Sequence, residues 1–388
     1  MKSRSEDKSQ TELAKIKYLG ALDWELIKAD TDYYTHGYHP YSAKYIPQIP
    51  YRLISTFSKE DDQILDNFVG SGTTLVESKV LGRNAIGVDV NPLACLISKV
   101  KTTIMEESTI PEISHFLNNL RGETSHECSS SALHPNISRW YHVNVICELL
   151  AIKTKIDVVR NTDVKDFLLV AFSSLLRTVS NAKRGFGNLM IDKNAPPKNR
   201  IIEKFSLAVR KMLWSLAQFS TVATKSQVTI FRRDSRNVEF IKDETIDFIC
   251  THPPYMSAVP YAEYQKLSLW WLGYNQYDLE KSLIAGRRGR PDTPQRFLRD
   301  MEMSLLEMKR VLRKKRYCCI VIGNPVYSGK TWKLNEIIKQ NAVHIGFTYL
   351  KQISRGKYHS TMGKMKEEFI LIFRNDSGVY VFYHRKLT

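Results

Sequence analysis

Two short stretches concentrate the residue types that bind and react. The first is Asp66-Asn67-Phe68-Val69-Gly70-Ser71-Gly72-Thr73-Thr74. Glycines at 70 and 72 let the backbone turn tightly where a strand meets a helix, and they let a ligand approach with no Cβ in the way. A glycine turn alone serves equally as a tight connection. Here Asp89 follows about 20 residues later, at the end of the next apolar run, where a carboxylate can accept both hydroxyls of a ribose. The pair points to a ligand that contains a nucleoside. The stretch lacks the Gly-Lys-Ser/Thr of a phosphate-binding loop and the third glycine of a dinucleotide turn, which favours a ligand without a pyrophosphate.

The second stretch is Asp247-Phe248-Ile249-Cys250-Thr251-His252-Pro253-Pro254-Tyr255. An apolar strand that runs into a polar residue, two prolines and an aromatic makes a rigid ledge. The prolines fix φ and remove two N–H donors, leaving carbonyls free to accept from a planar amine, and the tyrosine ring can stack on a base. Pro-Pro-Tyr is also compatible with an ordinary loop.

These residues need elements to hold them. Gln63–Phe68 reads as a short strand ending in an acid, Thr74–Leu81 as a helix, and Asn84–Asp89 as a second strand ending in an acid, followed by Asn91-Pro92 and another helix. Helical spacing also marks residues 51–58, with residues 1–11 as a frayed tail. Between about 105 and 225 the pattern changes to helices (143–156, 164–179 and 201–219) interrupted by a Gly, Lys and Arg-rich loop over 181–200. Alternation then resumes with strands at 227–231, 245–250 and 318–323, a helix at 296–312, a further helix from about Trp332, and strands at 347–352 and 368–373. Repeated βα units with apolar strands predict a doubly wound α/β sheet with an antiparallel pair at its C-terminal edge. The expected organisation is a ligand-binding catalytic domain over 12–104 and 226–388, with a helical insertion over 105–225 that, together with a loop over about 274–296, is the candidate target-recognition region.

Length and charge narrow the partner. The 388 residues exclude a disulfide miniprotein, and 57 Lys+Arg against 40 Asp+Glu leave a net charge of +17. A surplus of that size favours a polyanion, nucleic acid first. Six cysteines without a C-x-x-C pair suggest apolar filling in a reducing compartment, and His36, His39, His142 and His359 lack metal-ligand spacing, so no metal is assigned. The polar N-terminus and the lack of any run of about 18 apolar residues lead to the expectation of a cytoplasmic protein with no membrane partner.

Taken in order, the stretches resemble the amino-group DNA methyltransferases that use S-adenosylmethionine. Asp66–Thr74 is similar to the family's Asp-Pro-Phe-x-Gly-Ser-Gly-Thr-Thr turn, Ala85–Pro92 to its ribose-binding strand, and Arg233-Asp234-Ser235 to the next strand end, where the acid faces the adenine amine. His39–Pro50, which contains Lys44, resembles the segment that helps hold the methionine end of the cofactor. Thr251–Tyr255 is similar to the catalytic Ser/Asp/Asn-Pro-Pro-Tyr signature, and 311–313 with 318–324 to the helix and fifth strand that follow. The resemblance implies cofactor contacts from Lys44, Asp66, Phe68, Gly70, Ser71, Gly72, Thr73, Asp89, Val90, Asn91, Asp234 and Ser235.

It also implies catalysis by His252, Pro253, Pro254 and Tyr255, with a Rossmann-like class I methyltransferase fold. Two positions depart from the pattern. Asn67 replaces the usual proline, and His252 replaces the residue that accepts a hydrogen bond from the target amine. Neutral imidazole has one acceptor and one donor nitrogen, so it can perform that task in the correct tautomer; the other reading of His252 is a catalytically weakened DNA-binding subunit of the same fold. Duplex DNA hides the amine, so the base must be flipped out. With no Pro-Cys dipeptide in the chain, a cytosine-C5 mechanism is excluded. Thr251 and the 39–50 segment look most like the cytosine-N4 group, ahead of adenine-N6 or an RNA base. The expected partners are double-stranded DNA and a cognate restriction endonuclease. The DNA contacts are expected from Lys183 and Arg184 in one loop, from Arg287, Arg288 and Arg290 in another, and from Tyr261 beside the flipped base, with affinity that falls steeply with salt.

Overall fold

The computed structural model describes residues 3–120, 133–183, 189–256, 260–286, 289–356 and 365–376. The chain begins with a helix, α1 (Ser3–Ala21), where a frayed tail is expected from the polar sequence. Tertiary contacts hold it: Leu19 is fully buried, and Glu12 accepts from Tyr317 at 2.8 Å and from Arg374 at 2.7 Å. In α2 (Gln48–Phe57) Ile49, Leu53, Ile54 and Phe57 form one buried stripe. The expected β-turn-α-β unit follows as β1 (Gln63–Asp66), α3 (Thr73–Val80), β2 (Asn84–Asp89) and α4 (Pro92–Thr102). Asn91 caps α4, its side chain accepting from Leu93 N at 3.0 Å, with Pro92 at the first helical position.

The described regular elements between α4 and the next strand are helices: α5 (Thr109–Asn119), α6 (Ile137–Trp140), α7 (Val143–Asp157), α8 (Thr162–Val179) and α9 (Ile201–Val222). Their apolar faces form one cluster with Leu93 and Ile97 of α4. The sheet resumes with β3 (Val228–Arg232) and β4 (Ile246–Thr251), then α10 (Tyr261–Trp271), α11 (Gln276–Ser282) and α12 (Thr293–Val311). It closes with β5 (Leu312–Tyr327), the short β6 (Lys330–Thr331), α13 (Leu334–His344), β7 (Phe347–Arg355) and β8 (Met365–Asn375).

Strand order is β3-β2-β1-β4-β5-β8-β7, with β6 paired to β5. The pairs β2–β3, β1–β2, β1–β4 and β4–β5 are parallel, while β5–β8 and β7–β8 are antiparallel. This is the mostly parallel α/β sheet with an antiparallel C-terminal edge that the sequence predicts. Neighbouring strand residues alternate between its faces. Leu65, Ile249, Cys318 and Leu371 pack with α12 and α13, whereas Ile64, Phe248, Cys319 and Ile370 pack with α1 and α2. Because the chain leaves β1 towards β2 and β3 on one side and reaches β4 on the other, the sheet has a switch point between β1 and β4, the position where such sheets bind ligands.

β5 is much longer than the six residues expected. Its first part, Leu312-Arg313-Lys314-Lys315-Arg316, is charged and lacks an apolar run, yet the strand begins where α12 ends. Cys95, Cys250, Cys318 and Cys319 carry free thiols, while Cys147 is disulfide-bonded, a departure from the expected set of reduced cysteines. Among the described residues no helix is long and apolar enough to cross a membrane.

Candidate active site

A pocket opens over the carboxyl ends of β1, β2, β3 and β4. Its wall takes Asn67, Phe68, Val69, Gly70, Ser71 and Thr73 from the turn after β1, Asp89, Val90 and Asn91 after β2, Asp234 and Ser235 after β3, and His252 and Pro254 after β4. Residues 41–45 and 282–284, together with Tyr261, complete it. The turn needs its glycines. Gly72 has φ +80°, and a Cβ there would lie 3.0 Å from Ser98 of α4; Gly70 has φ +48°, with the Tyr41 ring 3.4 Å from the same hypothetical atom.

Asp89 is anchored from both sides, Oδ2 accepting from Gly70 N at 3.0 Å and Oδ1 from Asn91 N at 2.9 Å. Burial pushes its carboxyl up to about 6, against the pull of these N–H groups. Each oxygen keeps a further lone pair for a hydroxyl. Ser42 Oγ, Ser71 Oγ and both amide atoms of Asn67 are buried on wall residues without a hydrogen-bond partner. Lys44 adds a cation, bonded to Asp32 at 2.9 Å and to the His36 carbonyl at 3.2 Å. This set of donors and acceptors fits S-adenosylmethionine, with Asp89 for the ribose and the 42–44 and 67–71 groups for the polar amino-acid end.

Several expected cofactor residues stand back from the wall. Asp66 is buried behind it, its Oδ1 accepting from Thr251 Oγ1 at 2.7 Å and from Phe68 N at 3.1 Å, and its Oδ2 from Thr74 Oγ1 at 2.6 Å. Gly72 likewise faces α4 rather than the pocket. Asp234 reaches the wall while holding Arg236, whose Nε lies 2.9 Å from Oδ1, and Ser235 Oγ lies 3.1 Å from Ser304 Oγ.

The residues expected to carry the chemistry adjoin this pocket. The His252 ring sits between Tyr45 and Tyr255, with both ring centroids 5.0 Å away. Burial holds its imidazole below the ordinary range, so the ring is neutral near pH 7. Pro253 is buried, and Tyr255 is 5% exposed with its hydroxyl donating to Glu368 at 2.7 Å. A second cavity, of about 510 Å³, lies on the other side of Pro254. Tyr255, Met256, Phe297, Leu189 and Met190 line it, and it shares Pro254, Tyr261, Leu283 and Ile284 with the first pocket. Glu263, Glu280 and Thr293 add polar groups to this lining, and its size suits a planar ligand.

Sequence reading missed Tyr41, Ser42 and Tyr45 as individual wall residues, although it marked their segment; it expected the segment of Ser282–Ile284 to read the target rather than to line this pocket, and it missed Glu368, which carries no local signal. Of the expected basic contacts, Lys183 and Arg290 are exposed, while Arg184, Arg287 and Arg288 lie outside the described residues. Among the described residues no group of His, Cys, Asp and Glu is arranged to hold a metal ion.

An N6/N4 DNA methylase family model matches residues 2–100, which include the glycine turn and Asp89. The type II methyltransferase M.MvaI of Kocuria varians is 32% identical over 280 residues, 66% of this chain and 60% of the relative. M.BsoBI of Geobacillus stearothermophilus, also a type II methyltransferase, is 24% identical over 62% of this chain and 53% of the relative. M.MjaII of Methanocaldococcus jannaschii is 41% identical over 85 residues, 21% of this chain and 16% of the relative. The chain thus spans less than two thirds of the length of these relatives. With the glycine turn, the paired acid and the Thr-His-Pro-Pro-Tyr ledge gathered at one switch point, the chain is similar to the amino-group DNA methyltransferases, and its pocket fits their cofactor, S-adenosylmethionine.

Proposed function

We propose that the chain is a type II DNA methyltransferase that methylates the exocyclic amine of a flipped base, cytosine N4 in preference to adenine N6. One observation carries the reading: Pro254 of the Thr251–Tyr255 ledge forms a wall common to the proposed cofactor pocket and to the second cavity. When bound, S-adenosylmethionine supplies an electrophilic methyl on a sulfonium. The amine is a poor nucleophile because its lone pair is delocalised into the ring. The Pro253 carbonyl and His252 accept its two hydrogens and draw it towards tetrahedral geometry, while Tyr255 and Tyr261 hold the base. Positioning of this kind supplies on the order of 7 to 11 kcal/mol in good cases, against a few kcal/mol to extrude the base.

Thr251 before the ledge supports cytosine N4. The 105–225 insertion and the 274–296 segment are the regions we assign to target recognition, since Leu189, Met190, Glu280, Leu283, Ile284, Ala285 and Gly286 reach the second cavity. The type II relatives support a cognate endonuclease as partner, and a DNA-modifying role supports a cytoplasmic location. The test is transfer of labelled methyl from S-adenosylmethionine to duplex DNA and to RNA, followed by nucleoside mass spectrometry. N4-methyl-2′-deoxycytidine in the DNA digest is expected; N6-methyl-2′-deoxyadenosine would move the target, and label confined to RNA would overturn the reading.

A further inference from the structure

We infer that Glu368 and Arg355 are positioning residues that set the tautomer of His252, keeping the proton on Nε2 and leaving Nδ1 as the acceptor for the target amine. The inference begins at the far end of a buried chain of contacts. Arg355 and Glu368 face each other across the β7–β8 pair, 4% and 3% exposed, and Arg355 Nη1 donates to Glu368 Oε2. Arg355 is itself fixed by its Nε, which donates to the Trp24 carbonyl at 2.7 Å. That guanidinium donates a charge-assisted bond to Glu368, whose carboxyl oxygens are the acceptors in its contacts with both Arg355 and Tyr255.

Tyr255 is therefore the donor in its 2.7 Å bond to Glu368 Oε1. A phenol has one proton. With that proton given to Glu368, the Tyr255 oxygen can only accept in its contact with His252 Nε2. Nε2 must then carry the hydrogen, and a neutral imidazole has its lone pair on the remaining nitrogen, Nδ1. Glu368 Oε1, 3.8 Å from Nε2, favours the same arrangement. In the reverse arrangement Tyr255 would donate to Nε2 and a protonated Glu368 would donate to the phenol. That requires an un-ionised acid against a guanidinium, with most of its surroundings dry.

The relay explains how histidine can stand where the family signature has Ser, Asp or Asn. An unconstrained imidazole presents its donor or its acceptor to the amine, and only the acceptor is useful. The link to the amine rests on the proposed methyl transfer; the tautomer itself does not.

The experiment is long-range proton–nitrogen correlation NMR on the full chain labelled at the histidine ring nitrogens, without DNA, with His252→Asn used to assign the signal. The expected spectrum shows the Nε2–H form for wild type and a share of Nδ1–H in Tyr255→Phe and Glu368→Gln. In the same variants the methyl-transfer rate is expected to fall by roughly tenfold or more, because a misplaced ring proton is costly to catalysis, while S-adenosylmethionine affinity stays within about twofold. An Nδ1–H wild-type ring, or ring signals that do not respond to either variant, would overturn the inference. The wild-type spectrum decides it even if both variants misfold. An Nδ1–H ring in an enzyme that methylates DNA would sink the relay and leave the proposed function standing, whereas an Nε2–H ring in a chain that methylates nothing would do the opposite.

Discussion

Thr251 Oγ1 donates to Asp66 Oδ1 at 2.7 Å, pinning the last residue of β4 to the last residue of β1. One carboxylate thereby fixes the spacing between the turn proposed to carry the cofactor contacts and the ledge proposed to carry the chemistry. Burial pushes Asp66 up to about 6, and its hydrogen bonds from Thr74, Thr251 and Phe68 oppose the shift. Removing one donor should be felt. Thr251→Val is expected to cost about 1–3 kcal/mol of stability in urea unfolding, the penalty for an under-bonded buried polar group, with Thr251→Ser recovering most of it.

Gly72→Ala forces a side chain into the left-handed region at φ +80°, with its Cβ 3.0 Å from Ser98. The backbone term alone is about 1–2 kcal/mol. Because Ser98 Oγ also donates to the Gly70 carbonyl at 2.9 Å, displacement of α4 should reach the turn. Calorimetry is expected to show a lower Tm together with weaker S-adenosylmethionine binding.

Asp89→Asn removes the charged acceptor proposed for the ribose. A charge-assisted hydrogen bond is worth about 1.5–3 kcal/mol, so titration calorimetry should give a Kd higher by roughly 10- to 100-fold. Only the ionised form accepts from both hydroxyls without donating. With the pocket empty and the carboxyl near 6, wild-type affinity should fall as the pH drops through 6 and level off above 7, while the asparagine variant stays flat.

Glu77 tests the buried polar cluster beneath α3. It accepts from Tyr33 at 2.7 Å, meets His36 Nε2 at 2.7 Å, and burial raises it to about 8. An acid with a raised folded-state pKa contributes its full stability below its unfolded value of 4.5 and loses it as the pH rises through 8. Glu77→Gln should therefore match wild type near pH 5. It should exceed it by a growing margin between pH 5 and 9, on the order of a few kcal/mol at the top of that window. A difference in Tm that does not depend on pH would contradict this.

The elements that hold the site were legible where apolar runs end in chemistry: Gln63–Asp66 before the glycine turn, Asn84–Asp89 before Asn91, and Ile246–Thr251 before the ledge. Those strands are buried, so composition alone marks them. α10 was missed for the opposite reason. Residues 265–271 are buried without a break, and a helix covered on every side has no polar stripe to betray its period. The start of α1 was missed because long-range bonds from Tyr317 and Arg374 to Glu12 hold it against an otherwise polar sequence. The partnership of Tyr255 with Glu368 spans 113 residues and depends on the antiparallel edge, information that no local pattern contains.

The most direct measurement is modified-base sequencing of DNA from cells expressing the chain, compared with cells expressing Tyr255→Ala. N4-methylcytosine at one recurring sequence, absent with the variant, is the expected result. Unmodified DNA alongside methylated RNA in the same cells would contradict the account.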